Sequence, residues 1–341
     1  MTTTPFTHQL EADNAILSGE HCTFAATDTV DGENWLVPLT QYGFVRAQGP
    51  DGQTFFQGQT TADFRQVTMS QARNGAYCTP KGRMLASFTA ARLASDTLLL
   101  KLRRDCTDDT LKVLGKYAVF SKVELCDASS DYVGIGVAGP SAAELLGQHY
   151  SQLPQAPLDT IVCGTDLVLY RAPLRYELWL TQDRAAELWP RLRERAQPVG
   201  SELWDALDIE AGEVSVCAAT RDAFLPQLMN YDLNGAVSFK KGCYTGQEVV
   251  ARLHFKGVPK RRLYLAELDG AGAAGEDIFD AEKPVGTVAS CVSDGSAAIV
   301  LATSAALSTD LKLKNGTRVT QVAPPPYGLP DGLGSDLTET D

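Results

Sequence analysis

From Tyr42 to Leu125 short apolar runs alternate with helical patterns in the order strand, helix, two strands, helix, strand. YGFVRAQ (42–48) reads as a strand, and PDGQTFFQG opens a short helix. RMLASFTAARL and TLLLKL are apolar enough for buried strands, joined by a turn at Ser95–Asp96. Thr107 is expected to cap the helix DDTLKVLGKYA, after which VFSKVEL returns as a strand. This order is that of a split, ferredoxin-like βαβ unit, and it points to the α+β class.

A looser second copy follows. YVGIGVAG predicts a strand, and Ser141 with Glu144 a capping box for AAELLGQHY. DLVLYRAP and RYELWLT read as a hairpin, and Asp183 is expected to cap RAAELWPRLRERA, which Pro190 weakens. SELWDALDIEA (201–211) predicts a helix with Ser201 as cap and Gly212 as its left-handed stop. Beyond Gly257 the pattern changes to short strands with glycine turns, RRLYLAEL, PVGTVASCV, SAAIVLAT and TRVTQVAP, as in a small β-barrel. The expected organisation is an N-terminal extension (1–35), an α+β region (36–256, divisible at about 36–128 and 129–256), a C-terminal β-barrel (257–328) and a disordered acidic tail (329–341).

Composition narrows the function classes. A net charge of −12 opposes broad binding to phosphate backbones, so direct nucleic-acid binding is not expected. No apolar run approaches the roughly 20 residues of a membrane span. The first residues, MTTTPFTHQLEADNAI, lack the basic and apolar regions of a secretory signal, and a cytoplasmic location is the expectation. The eight cysteines (Cys22, Cys78, Cys106, Cys126, Cys163, Cys217, Cys243, Cys291) are dispersed and none has C-x-x-C spacing. With four dispersed histidines they predict reduced thiols and no self-contained metal site.

One stretch concentrates chemistry, KKGCYTGQEVVARLHFKG from Lys240 to Gly257. Thr245 and Glu248 have the T-x-x-E spacing of a capping box, which predicts a helix from Gly246 to about His254 with Val249, Val250 and Leu253 facing inward. Cys243 then precedes a helix N-terminus, with Lys240 and Lys241 beside it. Dipole and ammonium charge both favour thiolate over thiol, so Cys243 is expected to be the most nucleophilic of the eight. Gly242 and Gly246 leave room for a ligand to approach. From Lys240 to Arg262 seven cations stand against one acid, Glu248, a locally basic segment that also serves as a candidate binding patch.

Lys241-Gly242-Cys243-Tyr244-Thr245-Gly246-Gln247-Glu248 resembles the K-G-C-Y-x-G-Q-E signature of the YgfZ family, folate-binding relatives of the glycine-cleavage aminomethyltransferase (T-protein). FFQGQTTAD (55–63), AYCTPKGRM (76–84), KYAVFSKV (116–123), LDIEAG (207–212) and LPQLMNYDLNGAVSF (225–239) follow in the family's order, so the resemblance covers about Leu36 to Arg262. It implies ferredoxin-like units around a central folate cavity with a C-terminal barrel, and tetrahydrofolate as cofactor. It also implies service to iron–sulfur enzymes, including radical tRNA methylthiotransferases, as partners. Tyr42 and Trp204 stand where the family has aromatics at the folate site, and Glu210 matches a carboxylate that reads the pterin. A flat pterin stacks on an aromatic ring, and its N–H pair suits a carboxylate.

The departures bear on the alternative, a folate-dependent aminomethyl or methyl transferase. Those enzymes carry a carboxylate on the strand after the glycine that is Gly82 here, and no acid lies between Gly82 and Arg92. Without it the transfer lacks its proton-transfer group. Asp208 stands where the transferases have arginine, and Val214 where they have proline. The expected role is a folate-binding accessory factor acting through Cys243.

Overall fold

The computed structural model describes residues 4–24, 34–172 and 174–330. Two compact units emerge from a chain that passes between them several times. The first comprises Met1–Gln57, Asp63–Asn74 and Phe88–Trp204, the second Gly58–Ala62, Gly75–Ser87 and Asp205–Asp341.

The ferredoxin-like expectation for the first repeat is met. Its sheet runs Arg73–Cys78, Met84–Ala94, Thr97–Arg103, Tyr42–Gln48, Glu124–Asp127, with Gly52–Gln59 and Thr107–Ala118 as the helices. Leaving aside the added edge strand Arg73–Cys78, the chain order across the sheet is second, third, first, fourth, the order of that unit. The pairs joining Tyr42–Gln48 to Thr97–Arg103 and to Glu124–Asp127 are antiparallel. The two outer strands Arg73–Cys78 and Met84–Ala94 divide between the units, at Asn74/Gly75 and Ser87/Phe88.

The second copy differs instructively. Its six-stranded sheet runs Thr160–Cys163, Asp166–Ala172, Arg175–Thr181, Tyr132–Ala138, Trp35–Pro38, Gln197–Pro198. The closing strand, Gln197–Pro198, is only two residues long, and Trp35–Pro38 is inserted between it and Tyr132–Ala138. A segment preceding the first copy thus completes the second. Within the first unit Phe44, Ala91 and Leu99 of one sheet share a buried cluster with Leu167, Leu169 and Trp179 of the other.

The N-terminal segment is integral to this unit. Thr4 caps the helix Pro5–Ala12 in a reciprocal box with Thr7, and Pro5 occupies the first turn, where no N–H is missed. Phe6 and Leu10 are fully buried, Phe6 against Trp189 at 5.4 Å in an edge-to-face pair. A hairpin, Ala15–Ser18 with His21–Phe24, adds Cys22 to the same core.

Several expected caps are replaced. Cys106, not Thr107, precedes the helix Thr107–Ala118. Ser141 precedes Ala142–Gly147 without a capping bond from its side chain, and Glu144 pairs with Arg195 instead. Thr181, not Asp183, caps Gln182–Leu192, accepting from the Arg184 N–H; Pro190 sits in the last turn of that helix. Gly212 does adopt the left-handed conformation (φ +67°) after Glu202–Glu210.

The second unit carries the C-terminal sheet. Its six antiparallel strands run Leu311–Leu313, Asp277–Asp280, Lys283–Cys291, Ser296–Ala302, Arg261–Leu268, Val319–Ala323. A bridge between Lys312 and Arg318 links its two ends, so the sheet curls as the barrel expectation requires. The tail from 331 lies outside the described residues.

Candidate functional site

Three of the sequence motifs converge around Cys243 in the second unit. Lys241 is buried, and its ammonium donates to the carbonyls of Thr60 (2.5 Å) and Ala62 (2.8 Å). Thr61 between them donates through Oγ1 to the Ala236 carbonyl and accepts from the Ala76 N–H, both at 2.8 Å. The lysine therefore pins the Cys243 loop to the QTTA segment rather than presenting its charge to solvent. Such charge-assisted bonds are stronger than neutral ones, and they use the ammonium that the sequence had placed beside the thiol.

The other side is held by glycines. Gly246 sits at φ +84° and is itself the N-cap of the helix Gln247–Lys256. The expected box from Thr245 does not form; a turn closed by the Gln247 N–H on the Tyr244 carbonyl (3.2 Å) leads into the helix instead. The cause is close approach. A Cβ on Gly246 would lie 2.3 Å from the Thr79 carbonyl oxygen, against a turn that Gly82 closes by donating to that same oxygen. Backbone this close admits only glycine. Of the three residues expected to face inward, Val250 is buried, Leu253 half-buried and Val249 exposed. Glu248 is exposed in the first turn, where the helix dipole favours an acid.

Gly246→Ala is expected to cost about 1–3 kcal/mol from the left-handed backbone alone, with the clash on Thr79 added. Denaturant titration checks this. Gly242→Ala should be near neutral, because a Cβ there meets nothing within 4 Å.

Cys243 itself is exposed, three residues before the cap, and its sulfur makes no hydrogen bond among the described residues. Tyr244 points the other way into the fold. Its hydroxyl is buried with no partner among the described residues, and burial, with the Cys78 thiol adding to it, pushes the phenol up. Burial likewise pushes the Cys78 and Cys22 thiols up to about 12. In the native protein at neutral pH a thiol-alkylating reagent should therefore modify exposed Cys243 and Cys163 first and spare Cys22 and Cys78. Peptide mass mapping after brief exposure reads the order.

The basic segment is less available than its sequence suggested. Lys241 is buried, and Arg262 is buried in a two-pronged pair with Asp232 at 2.6 and 3.0 Å. Lys240, Arg252, Lys256 and Lys260 remain exposed.

The first unit holds the two expected aromatics. Tyr42 is buried, with the Lys101 ammonium 4.0 Å from its ring centre and the Arg103 guanidinium carbon at 5.4 Å. Trp204 is fully buried; a Cβ on Gly136 would lie 2.5 Å from its ring, so strand and indole are in direct contact. The Arg175 guanidinium carbon lies 5.5 Å from the ring centre. Trp204 thus offers no open face for stacking, but its indole N–H is buried with no acceptor among the described residues. Glu210, in the second unit, is exposed at the end of its helix.

Sequence reasoning missed the charged centre beside Tyr42. Glu177 is wholly buried; Lys101 donates to its Oε1 at 2.6 Å and Trp179 to its Oε2 at 2.8 Å. Arg171 lies 3.4 Å from Oε1. Burial alone would push the Glu177 carboxyl up, but the two cations and these hydrogen bonds outweigh it and hold the group below the usual carboxylate range. The available signal was a lysine and a glutamate inside TLLLKL and RYELWL, strands otherwise apolar enough to be buried.

Comparison with known proteins bears on this arrangement. The GCVT N-terminal domain profile matches residues 28–241. The "tRNA-modifying protein YgfZ" of Shigella boydii serotype 4 is 34% identical over 308 residues, covering 86% of this chain and 93% of its own length. The protein of the same name from Escherichia coli O17:K52:H18 matches equally. The chain belongs to the YgfZ family. Its fold is that of the wider aminomethyltransferase group: the crystal structure of glycine cleavage system aminomethyltransferase T from Bartonella henselae superposes with a TM-score of 0.70 at 18% identity, over 87% of this chain and 86% of that one. The loop around Cys243 thus lies in a YgfZ-family chain with a GcvT-like fold. Among the described residues no group of three or more histidine, cysteine or acidic side chains could hold a metal, and no helix is long and apolar enough to cross a membrane.

Proposed function

We propose that this protein is a folate-binding accessory factor in tRNA modification, which supports iron–sulfur enzymes that methylthiolate tRNA and works through the thiol of Cys243. The observation that carries the reading is the match to YgfZ tRNA-modifying proteins over 86% of the chain. The exposed Cys243, on a loop clamped by Lys241 and Gly246, supports it by supplying a thiol held in place yet open to a partner.

Tetrahydrofolate is the proposed cofactor, with Tyr42, Trp204 and Glu210 as its candidate contacts. The residues present fit such a ligand in one specific respect. The buried Trp204 N–H has no acceptor among the described residues, and folate is rich in acceptors. Folate, when bound, supplies a one-carbon carrier; the chain's own residues supply hydrogen bonding and exclusion of water. The strand Met84–Ala94 carries no acid, which leaves the transferase alternative without a proton-transfer group. A cytoplasmic location accords with clients of this kind.

Calorimetric titration with 5-formyltetrahydrofolate tests the cofactor. Saturable binding is expected, weakened at least about tenfold in Tyr42→Leu, the loss of roughly 1.4 kcal/mol of ring contact. Absence of binding to the wild-type protein would remove folate from the account.

A further inference from the structure

We propose that the first unit contains a second small-molecule site, a cavity that takes a zwitterion of the free α-amino acid class with a short apolar side chain. The cavity measures about 300 Å³ and lies between the N-terminal helix Pro5–Ala12 and residues of the first unit that include Thr40, Arg104, the strand residues Asp127 and Val133, and Gln182. That volume stands at the lower end of ligand pockets, roughly 300–1,000 Å³, and suits a molecule smaller than folate.

Its lining combines two opposite charges with an apolar wall of Phe6, Leu10 and Val133. Arg104 is held by two backbone carbonyls, Nε donating to Thr40 and Nη2 to Tyr42, each at 3.1 Å. Its remaining nitrogen, Nη1, donates to no described residue. Asp127 accepts the Ser129 N–H on Oδ1 at 2.8 Å, and its Oδ2 accepts from no described residue. Both line the cavity, and the Asp127 charge is felt at Arg104, yet the two do not close an ion pair. Glu20, the other carboxylate in the field of Arg104, does not line the cavity.

A guanidinium oriented by its own backbone bonds and a carboxylate oriented by a main-chain N–H are preorganised partners, which lowers the ordering cost of binding. Both residues line the cavity, Asp127 at its exposed rim, and each keeps one hydrogen-bonding position that no described residue fills, so the complementary ligand carries an anion and a cation on one small body. A carboxylate would take Arg104 Nη1, an ammonium Asp127 Oδ2, and an aliphatic side chain the wall of Phe6, Leu10 and Val133. None of these residues belongs to the Cys243 loop or to the candidate folate contacts.

Calorimetric titration of the full-length protein with L-leucine and L-methionine at millimolar concentration tests the proposal. Isocaproate and isoamylamine, which each lack one charge, are the controls. Saturable binding of at least one amino acid is expected, with both controls weaker by about tenfold or more for the lost charge-assisted contact. Asp127→Asn, which keeps the Oδ1 acceptor for Ser129 and so the fold, should weaken amino acid binding by a similar factor. Arg104→Lys should do the same if it folds, and Asp127→Asn decides alone if it does not. No saturable binding of either amino acid overturns the proposal, as does isocaproate binding as tightly as leucine or an unchanged affinity in Asp127→Asn.

Discussion

Glu177→Ala is expected to lower the free energy of unfolding by about 3–5 kcal/mol, the usual penalty for breaking a buried ion pair. Two features put it at that level. Removing the carboxylate leaves the Lys101 ammonium, itself buried, without its 2.6 Å partner, and takes the acceptor from the buried Trp179 N–H. An unpaired charge in low dielectric costs far more than the pair contributes. For a fold whose whole stability is of order 5–15 kcal/mol, such a loss is severe. The double variant Glu177→Leu with Lys101→Met should recover only part of it, because apolar replacement removes the Lys101 charge while buried Arg171 loses the carboxylate 3.4 Å away. A double-mutant cycle by urea denaturation measures the coupling.

The same centre sets an acid limit. The folded state holds the Glu177 carboxyl below its ordinary value of 4.5, so its contribution is complete above the unfolded value. That contribution is lost as pH falls through the depressed folded value, as the carboxylate takes up a proton. Glu177→Gln should therefore flatten the acid limb of a stability–pH curve, since the amide takes up no proton there.

Cys243→Ala is expected to abolish support of tRNA methylthiolation while leaving the melting temperature within about 2 °C, since exposed positions away from packed features change stability by about 0.5 kcal/mol or less. The thiol contributes nothing visible to the fold: it is exposed and makes no hydrogen bond among the described residues. Its surroundings, in contrast, are built at some cost. A buried lysine crosses to two carbonyls, and a left-handed glycine passes over the Thr79 oxygen, to hold the loop that carries it. A constrained loop built around a side chain with no structural duty makes sense when the side chain acts on something else. Lys241→Met should therefore reduce function by displacing Cys243, in parallel with a loss of stability.

Much of the fold was legible because strand periodicity survives even in buried runs. Tyr42–Gln48, Thr97–Arg103 and the four long C-terminal strands stand where the apolar patterns put them. Arg73–Cys78, in RNGAYC, escaped because its glycine and asparagine read as a turn, and the N-terminal helix escaped although Thr4-Pro5 is a start signal. Caps were least legible. Thr245, Ser141 and Asp183 had the right chemistry, but tertiary contacts decided which residue entered the helix, most plainly where Gly246 meets Thr79. The octapeptide motif identified the family and the exposed thiol. Periodicity gave no hint that Lys241 would turn inward, nor that Lys101 and Glu177 would meet between strands, because charge in a strand pattern is read as solvent-facing. Pairing across distant segments is invisible to spacing along one of them.

The role of the Cys243 sulfur is tested most directly by complementation. A bacterial strain lacking its own YgfZ would be supplied with the wild-type chain or with Cys243→Ser, and methylthiolated nucleoside in its tRNA quantified by mass spectrometry at matched protein levels. Restoration by the wild type and none by the serine variant is the predicted result. Equal restoration by both would show that the sulfur is dispensable and contradict the account.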